Sequence, residues 1–405
     1  AGVVFGYLED VLQERRDSMM RLEPEFERHS VWVLGLDEAL TGLLVNLDNL
    51  LAGLETLRER ITLDDEARDK LEPQLLELRG AGNRLSGAAL ALRSALRPPE
   101  DALRMVRWME RRGDHHGGEA NIILAAAPLD LAGVLRETVL DNVPTVVMTS
   151  ATLATRGDFS FLRGRLGIAP TDEIEEAIFP SPFDYDSQSL LAIPMDLPIP
   201  SSGSESRFDE ATVRATEEMA TITGGGIFVL FTSYRALRET AVGLRGRGAD
   251  ARWPLYVQGE APRAQLIKHF TDSGRGILLG TTSFWEGVDV PGRPLRGLII
   301  PRLPFKVPTE PVTAARIEAI DARGGNSFAS FMLPHAAIRL KQGFGRLIRS
   351  RTDHGAVMIL DGRIARKSYG RYLLDSLPPA PRVVAPWQAV KGELQRFYGL
   401  SGDGD

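Results

Sequence analysis

The sequence predicts an α/β protein: a mostly parallel sheet covered by helices on both faces, preceded by an α-helical hairpin. Three observations lead there. The first hundred or so residues carry apolar side chains at helical spacing. Pro98-Pro99 ends that pattern. From Pro144 onward, short β-branched or apolar runs alternate with amphipathic stretches, the signature of strands and helices in turn.

The hairpin is read from two seams. Leu40, Leu43, Leu47, Leu50, Leu54, Leu57 and Ile61 alternate by three and four. After the polar break Thr62-Leu63-Asp64-Asp65 comes a second seam: Leu71, Leu75, Leu78, Gly82, Leu85, Ala89, Leu92 and Leu96. Two seams joined by a short turn fold back on each other, with Thr62 or Asp64 as the cap of the second helix. Val3 to Arg28 reads as a further amphipathic helix. The acidic pair Asp37-Glu38 follows an apolar run but leads straight into the leucine seam, so Val31 to Leu40 also reads as helix. The hairpin is expected to be an arm without chemistry of its own.

Val106 to Glu110 and Asn121 to Ala127 predict two strands around a polar turn. That turn holds His115 and His116, which lack the further ligands of a metal site. Later strands are expected at 145–150 (TVVMTS), 189–193, 226–231, 254–257, 275–281, 296–301 and 355–361. Helices are expected between them at Asp209–Thr221, Tyr234–Leu244, Pro262–Thr271, Val312–Asp321 and Pro334–Ser350, and a loop at Pro194–Ser206.

At 405 residues, the chain is long enough for two or three domains. An apolar content of 43% and a charged content of 25% are those of an ordinary globular protein. No run approaches the roughly 18 apolar residues of a membrane span. Without cysteine, the chain has no disulfide, thiolate zinc site or cysteine-ligated iron–sulfur cluster, which fits a reducing cytoplasm. The net charge of −6 conceals an asymmetry: Gly225 to Tyr372 holds 23 Lys and Arg against 11 Asp and Glu. One basic segment in an acidic chain suggests a localised site for a polyanion.

Three stretches are candidates for that site, because ligands of doubly wound sheets gather at strand ends. Thr232-Ser233-Tyr234-Arg235 opens a helix after a strand and offers hydroxyls and backbone N–H groups to a phosphate, or simply caps the helix. Thr282-Ser283-Phe284-Trp285-Glu286-Gly287-Val288-Asp289 places two adjacent aromatic rings in a polar loop. They are either a platform for bases or part of the core. Gly287 permits close backbone approach, and Asp289 can accept from a ribose hydroxyl or an arginine. The third stretch, Leu340 to Ser350, spaces Gln342, Arg346 and Arg349 at i, i+4 and i+7. On a helix these share one face, while Leu340, Phe344, Leu347 and Ile348 turn inward. Two guanidiniums and an amide on one stripe are suited to gripping phosphate oxygens. No G-x-x-x-x-G-K-[ST] loop is present, so the arginines suggest half of a composite nucleotide site.

These stretches, in this order, resemble the motifs of superfamily 2 helicases, most closely the DinG/XPD branch. TSATL (Thr149 to Leu153) is similar to motif III, LFTSYRAL (Leu230 to Leu237) to motif IV and GTTSFWEGVDVPG (Gly280 to Gly292) to motif V. QGFGRLIRS (Gln342 to Ser350) is similar to motif VI, and IIPRLPF (Ile299 to Phe305) also fits the branch. The resemblance covers about Asn121 to Leu377.

The resemblance implies a RecA-like lobe of the helicase C-terminal type. Residues 1–118 would be an arch-like insertion, 119–155 the last part of a first RecA-like lobe, and 156–405 the second lobe. ATP with magnesium would sit between lobes, with the magnesium ligands and the Walker lysine on first-lobe sequence outside this chain. Gly287, Asp289, Gln342, Arg346 and Arg349 match the second-lobe side of that site. Thr232, Ser233, Tyr234, Thr282, Ser283, Phe284 and Trp285 would lie near single-stranded DNA. The phosphate loop, the DEAH box and the cluster cysteines are missing, as a cut just before Ala1 would produce, and whether the parent holds an iron–sulfur cluster stays open. The expectation is an ATP-dependent DNA helicase moving 5′ to 3′ with a role in repair or replication, monomeric and cytoplasmic. The alternatives are a non-catalytic module that binds single strands and a nuclease-coupled or RNA-directed relative.

Overall fold

The chain folds as two units: Ala1–Val134 with Val307–Gly324, and Leu135–Lys306 with Gly325–Asp405. The structure is a computed structural model that describes residues 1–15, 18–98, 105–112, 121–200, 203–285 and 294–400, with backbone only for Arg15, Thr282 and Trp285.

In the first unit, helix α1 spans Gly2–Arg15, α2 Asp37–Thr62, α3 Asp65–Lys70 and α4 Glu72–Leu96. The leucine seams form α2 and α4 as their spacing predicts. Leu40, Leu44, Leu92 and Leu96 are buried at the base, whereas Leu50, Leu57 and Leu76 are exposed towards the turn. Asp48 accepts from Arg93 across the pair at 2.6 and 2.7 Å. The cap expected for the second helix falls elsewhere: Asp64 caps the short α3, its Oδ1 accepting from the N–H groups of Glu66 and Ala67, both at 3.1 Å, whereas α4 starts from Leu71 with no side-chain cap.

The helix expected over Val3 to Arg28 stops at Arg15. Beyond it, Met19, Met20 and Arg21 are exposed, buried and half-buried in turn, the alternation of a strand, and Pro24 opens a 3₁₀ turn. This strand, β1 (Met19–Arg21), pairs antiparallel with β2 (Met105–Arg112), which pairs with β3 (Asn121–Pro128). The turn with His115 and His116 lies outside the described residues. The helix Pro311–Asp321 forms as its pattern predicts but belongs to this unit. There Glu318 pairs with Arg21 at 2.7 Å, and Arg316 Nε donates to the Leu129 carbonyl at 2.9 Å.

The second unit is built on seven parallel strands: β4 (Ser189–Pro194), β5 (Ile227–Leu230), β6 (Leu255–Val257), β7 (Ile277–Gly280), β8 (Gly297–Ile300), β9 (Gly355–Ile359) and β10 (Arg382–Ala385). Their spatial order is β10-β4-β9-β8-β5-β7-β6. Helices α5 (Glu205–Thr223), α6 (Tyr234–Gly246), α7 (Arg263–Ser273), α8 (Leu333–Phe344) and α9 (Trp387–Phe397) cover it. Side chains alternate between two cores. Phe228, Leu230, Leu298, Ile300, Val357 and Ile359 face α7 and α8; Ile227, Val229, Ile299, Ala356 and Met358 face α5, α6 and α9. Among the described residues no helix is long and apolar enough to cross a membrane.

Two expectations fail here. TVVMTS at 145–150 is not a strand. Val146, Val147 and Met148 are exposed, and without a neighbouring ladder a β-branched run cannot satisfy its backbone as a strand. The helix expected to reach Ser350 ends at Phe344, with Gly345 as its C-cap.

Glycine is required where α5 passes into β5. Gly224, Gly225 and Gly226 have φ of 69°, 90° and 72°. A Cβ on Gly225 would stand 1.9 Å from the Arg275 carbonyl oxygen. Gly225→Ala is therefore expected to destabilise the sheet unit by about 2–4 kcal/mol, combining left-handed strain with a backbone clash. Urea unfolding followed by circular dichroism checks this; a loss under about 1 kcal/mol would contradict the assignment.

Candidate nucleotide and nucleic-acid site

Strands β5, β7 and β6 are neighbours, so their carboxyl ends bring three loops together. After β5, Ser233 is the N-cap of α6, its Oγ accepting from the Ala236 N–H at 3.3 Å. Arg235 is committed to Asp209 at 2.8 Å, a hydrogen bond that raises the arginine's pKa. Tyr234 remains half exposed.

The centre of this edge is Gln258, which follows β6. Its Oε1 accepts from the Thr281 N–H at 2.6 Å and from the Thr281 hydroxyl at 3.0 Å. Its Nε2 donates to the Ser283 hydroxyl at 3.1 Å and to the Tyr234 hydroxyl. One amide thereby ties together the loops after β5 and β7. Sequence reasoning passed over Gln258 because a single glutamine after a short strand carries no pattern. Its register beside β7 is what makes it central.

The two readings of the Phe284-Trp285 pair are now separated for one member. Phe284 is wholly buried, edge-on to Phe228 at 6.1 Å, with the Arg263 guanidinium over it at 5.5 Å. Its assignment as a base platform is corrected: the ring fills the core beneath the loop. Gly287 and Asp289, and the side chains of Thr282 and Trp285, lie outside the described residues. At the end of β8, the Arg302 Nε and Nη2 are buried with no hydrogen-bond partner among the described residues. At the end of β9, buried Asp361 accepts from Arg363 at 2.8 and 2.6 Å and from the Leu303 N–H at 3.1 Å, a closed ion pair that raises the pKa of Arg363.

The arginine stretch lies at the opposite edge. It precedes β9, so it lies where the chain enters a strand, whereas the other two stretches lie where it leaves one. Gln342 is on α8, but Arg346 is in a turn whose N–H reaches the Gly343 carbonyl at 3.0 Å, and Arg349 follows in irregular chain. The three therefore do not share a helical stripe. The last turn tightens as the Arg346 and Leu347 N–H groups reach the Gly343 and Phe344 carbonyls at 3.0 and 3.1 Å, and the buried side chains of Leu347 and Ile348 pull the chain into the core instead of around the helix. Leu340 and Phe344 are buried as predicted. Arg346 and Arg349 are both partly buried. The Gln342 Oε1 is buried with no hydrogen-bond partner among the described residues, and burial lowers the pKa of neighbouring Lys341.

Asp353 holds this turn, with its Oδ2 accepting from the N–H groups of Arg349 at 2.7 Å and Ser350 at 2.8 Å. Gln188, just before β4, donates to the carbonyls of Ser350 at 2.9 Å and Asp353 at 2.7 Å. Neither residue has a sequence signal, since their roles arise from β4 and β9 lying side by side. A pair of guanidiniums with a buried unsatisfied acceptor one helical turn away suits a phosphate group and a donor presented together. Among the described residues no group of three or more His, Cys, Asp or Glu could hold a metal.

A parallel seven-stranded sheet carrying these motifs defines a RecA-like helicase C-terminal lobe, and residues 216–380 match the helicase C-terminal domain family. The chain is 39% identical over 268 residues to the ATP-dependent DNA helicase YoaA of Escherichia coli (strain K12), covering 66% of this chain and 41% of that protein. It is 36% identical over 292 residues to the ATP-dependent helicase DinG of Mycobacterium tuberculosis (strain ATCC 25618 / H37Rv), covering 72% and 43%. It is also 37% identical over 277 residues to the 3′-5′ exonuclease DinG of Bacillus subtilis (strain 168), covering 67% and 29%. The chain spans less than half the length of each of these relatives. A solved XPD helicase shares the fold with a TM-score of 0.51 at 14% identity, over 79% of this chain and 56% of that one. The resemblance read from the motifs therefore holds: the chain is similar in sequence to YoaA and DinG and in fold to XPD.

The buried position of Phe284 makes a direct prediction. Phe284→Ala is expected to cost about 3–5 kcal/mol of stability through the cavity it leaves. Chemical denaturation measures this, and an unchanged midpoint would return the ring to the surface.

Proposed function

We propose that the intact protein carrying this chain is an ATP-dependent DNA helicase that moves on single-stranded DNA, 5′ to 3′. The observation supporting this most directly is the division of one sheet into two furnished edges. A hydroxyl- and amide-rich edge follows β5, β7 and β6; an arginine turn stands where β9 begins. The names of the relatives point the same way.

When bound, ATP supplies the phosphoanhydride bond whose hydrolysis drives movement. Arg346 and Arg349 would hold γ-phosphate oxygens, and guanidiniums in such a role contribute ~10³–10⁵ in rate. The Gln342 Oε1, without a partner among the described residues, would accept from a water or a nucleotide hydroxyl. Gly287 and Asp289 are assigned to the same nucleotide. No residue of this chain is assigned to magnesium. At the other edge, Thr232, Ser233, Tyr234, Thr282, Ser283 and Trp285 would meet the strand; Ser233 would do so through the helix N-terminus it caps. Tyr234 and Ser283 are held ready by Gln258.

In the intact enzyme, Arg346→Ala is expected to abolish DNA-stimulated ATP hydrolysis while nucleotide binding stays within a few-fold. Steady-state hydrolysis with an oligothymidylate, beside equilibrium nucleotide binding, checks this; retained turnover removes Arg346 from the role. Gln258→Ala is expected to weaken binding of the same oligothymidylate about tenfold while leaving the slope of log K against log salt unchanged, because no phosphate-neutralising charge is lost. A changed slope, or unaltered affinity, would contradict the role of Gln258. If the intact protein binds single strands but never hydrolyses ATP, the non-catalytic reading replaces this one. If RNA alone stimulates hydrolysis, the RNA-directed reading does.

A further inference from the structure

Asp353 is buried, at 6% exposure, and carries a carboxylate that no cation pairs with among the described residues. Taking such a group from water without a counter-charge is costly, so its hydrogen bonds must compensate. They all go to one short stretch of chain. Oδ2 accepts from the N–H of Arg349 at 2.7 Å and of Ser350 at 2.8 Å, and Oδ1 accepts from the Ser350 hydroxyl at 2.7 Å. From the other side, the Gln188 amide donates to the carbonyls of Ser350 and Asp353, while its own oxygen accepts from the Asp184 N–H at 3.0 Å. Gln188 is equally buried, at 7% exposure. The chain between α8 and β9 has no regular structure to fix it. Buried Leu347 and Ile348 draw it into the core, and this carboxylate and this amide fix the backbone of Arg349 and Ser350 beyond them.

We infer that Asp353 is a positioning residue for the arginine turn: by fixing the backbone of Arg349 and Ser350 it sets where the guanidiniums stand during hydrolysis. The inference rests on the proposed nucleotide role of Arg346 and Arg349. It assigns to Asp353 no contact with nucleotide. A backbone displaced by about an ångström at such a point costs on the order of a hundredfold in rate while binding persists. Asparagine can replace the carboxylate geometrically. Its one oxygen accepts both N–H groups that now share Oδ2, and its NH₂ faces a hydroxyl that can accept.

The test uses the intact protein and an oligothymidylate at saturation, measuring kcat and KM for ATP hydrolysis with a thermal melt on each variant. Asp353→Ala is expected to lower kcat about 10–100-fold with KM for ATP within about twofold, and Asp353→Asn to recover most of that kcat. Gln188→Ala loosens the same turn from its other side and is expected to give the same kcat-specific loss. It carries the test should Asp353→Ala fail to fold. Arg349→Ala and Arg346→Ala run alongside. If both arginine variants are inactive while Asp353→Ala and Gln188→Ala keep full kcat, the positioning role is wrong and the nucleotide role stands. If the arginine variants keep full kcat, the nucleotide role itself falls. An Asp353→Asn variant as impaired as Asp353→Ala, or a loss expressed in KM alone, also overturns the inference.

Discussion

The fold depends on burying both faces of the seven-stranded sheet. Every side chain of β5, β7, β8 and β9 is spent on one of two apolar cores, so none is available for chemistry. Polar work is left to the edges, where strands give way to loops and backbone groups need partners. In a parallel sheet the two edges are different places. One gathers the loops that leave the strands, and the other gathers the loops that enter them. Gln258, Thr281 and Ser283 belong to the first; Gln188, Arg349 and Asp353 belong to the second. Helix α8, 12 residues long and so about 18 Å from end to end, carries the chain from the carboxyl edge back to the arginine turn.

That separation gives the proposed motor a physical basis. A ligand gripping the arginine turn and a strand lying on the hydroxyl edge need not compete for space, yet they load the same rigid body. Phe284, beneath the loop after β7, and Leu340 and Phe344 of α8 belong to one apolar core, so the two edges are joined through close-packed side chains. The edge residues are themselves cross-tied: one amide serves three hydroxyls and an N–H at the carboxyl edge, and one carboxylate and one amide brace the turn at the other.

Much of this was legible beforehand, for identifiable reasons. Six of the seven later strands appear where β-branched runs mark them, because a strand buried on both faces must be apolar throughout. The leucine seams announced α2 and α4 for the corresponding reason at helical period. The runs that failed are those in which pattern and partner disagree. TVVMTS has the composition of a strand but no ladder. Residues 342–349 have helical spacing, but the inward pull of Leu347 and Ile348 ends the helix at Phe344 first. The short strands β1 and β10 and the helix α9 were missed because three or four residues at period two, or one helix at the chain's end, barely stand out from background. Gln258, Gln188 and Asp353 were illegible for a different reason. Each acts on residues 23 to 165 positions away, or within an irregular turn, and only strand register brings the partners together.

If nucleotide and strand engage opposite edges of one sheet, each should shield a different set of backbone amides. Hydrogen exchange on the intact protein tests it most directly, comparing amide protection with a non-hydrolysable ATP analogue, with oligothymidylate and with neither. The nucleotide analogue is expected to protect residues 345–353, and the oligonucleotide 232–236 and 281–285. Protection of 281–285 by nucleotide with 345–353 unchanged, or of the arginine turn by the oligonucleotide alone, would contradict it.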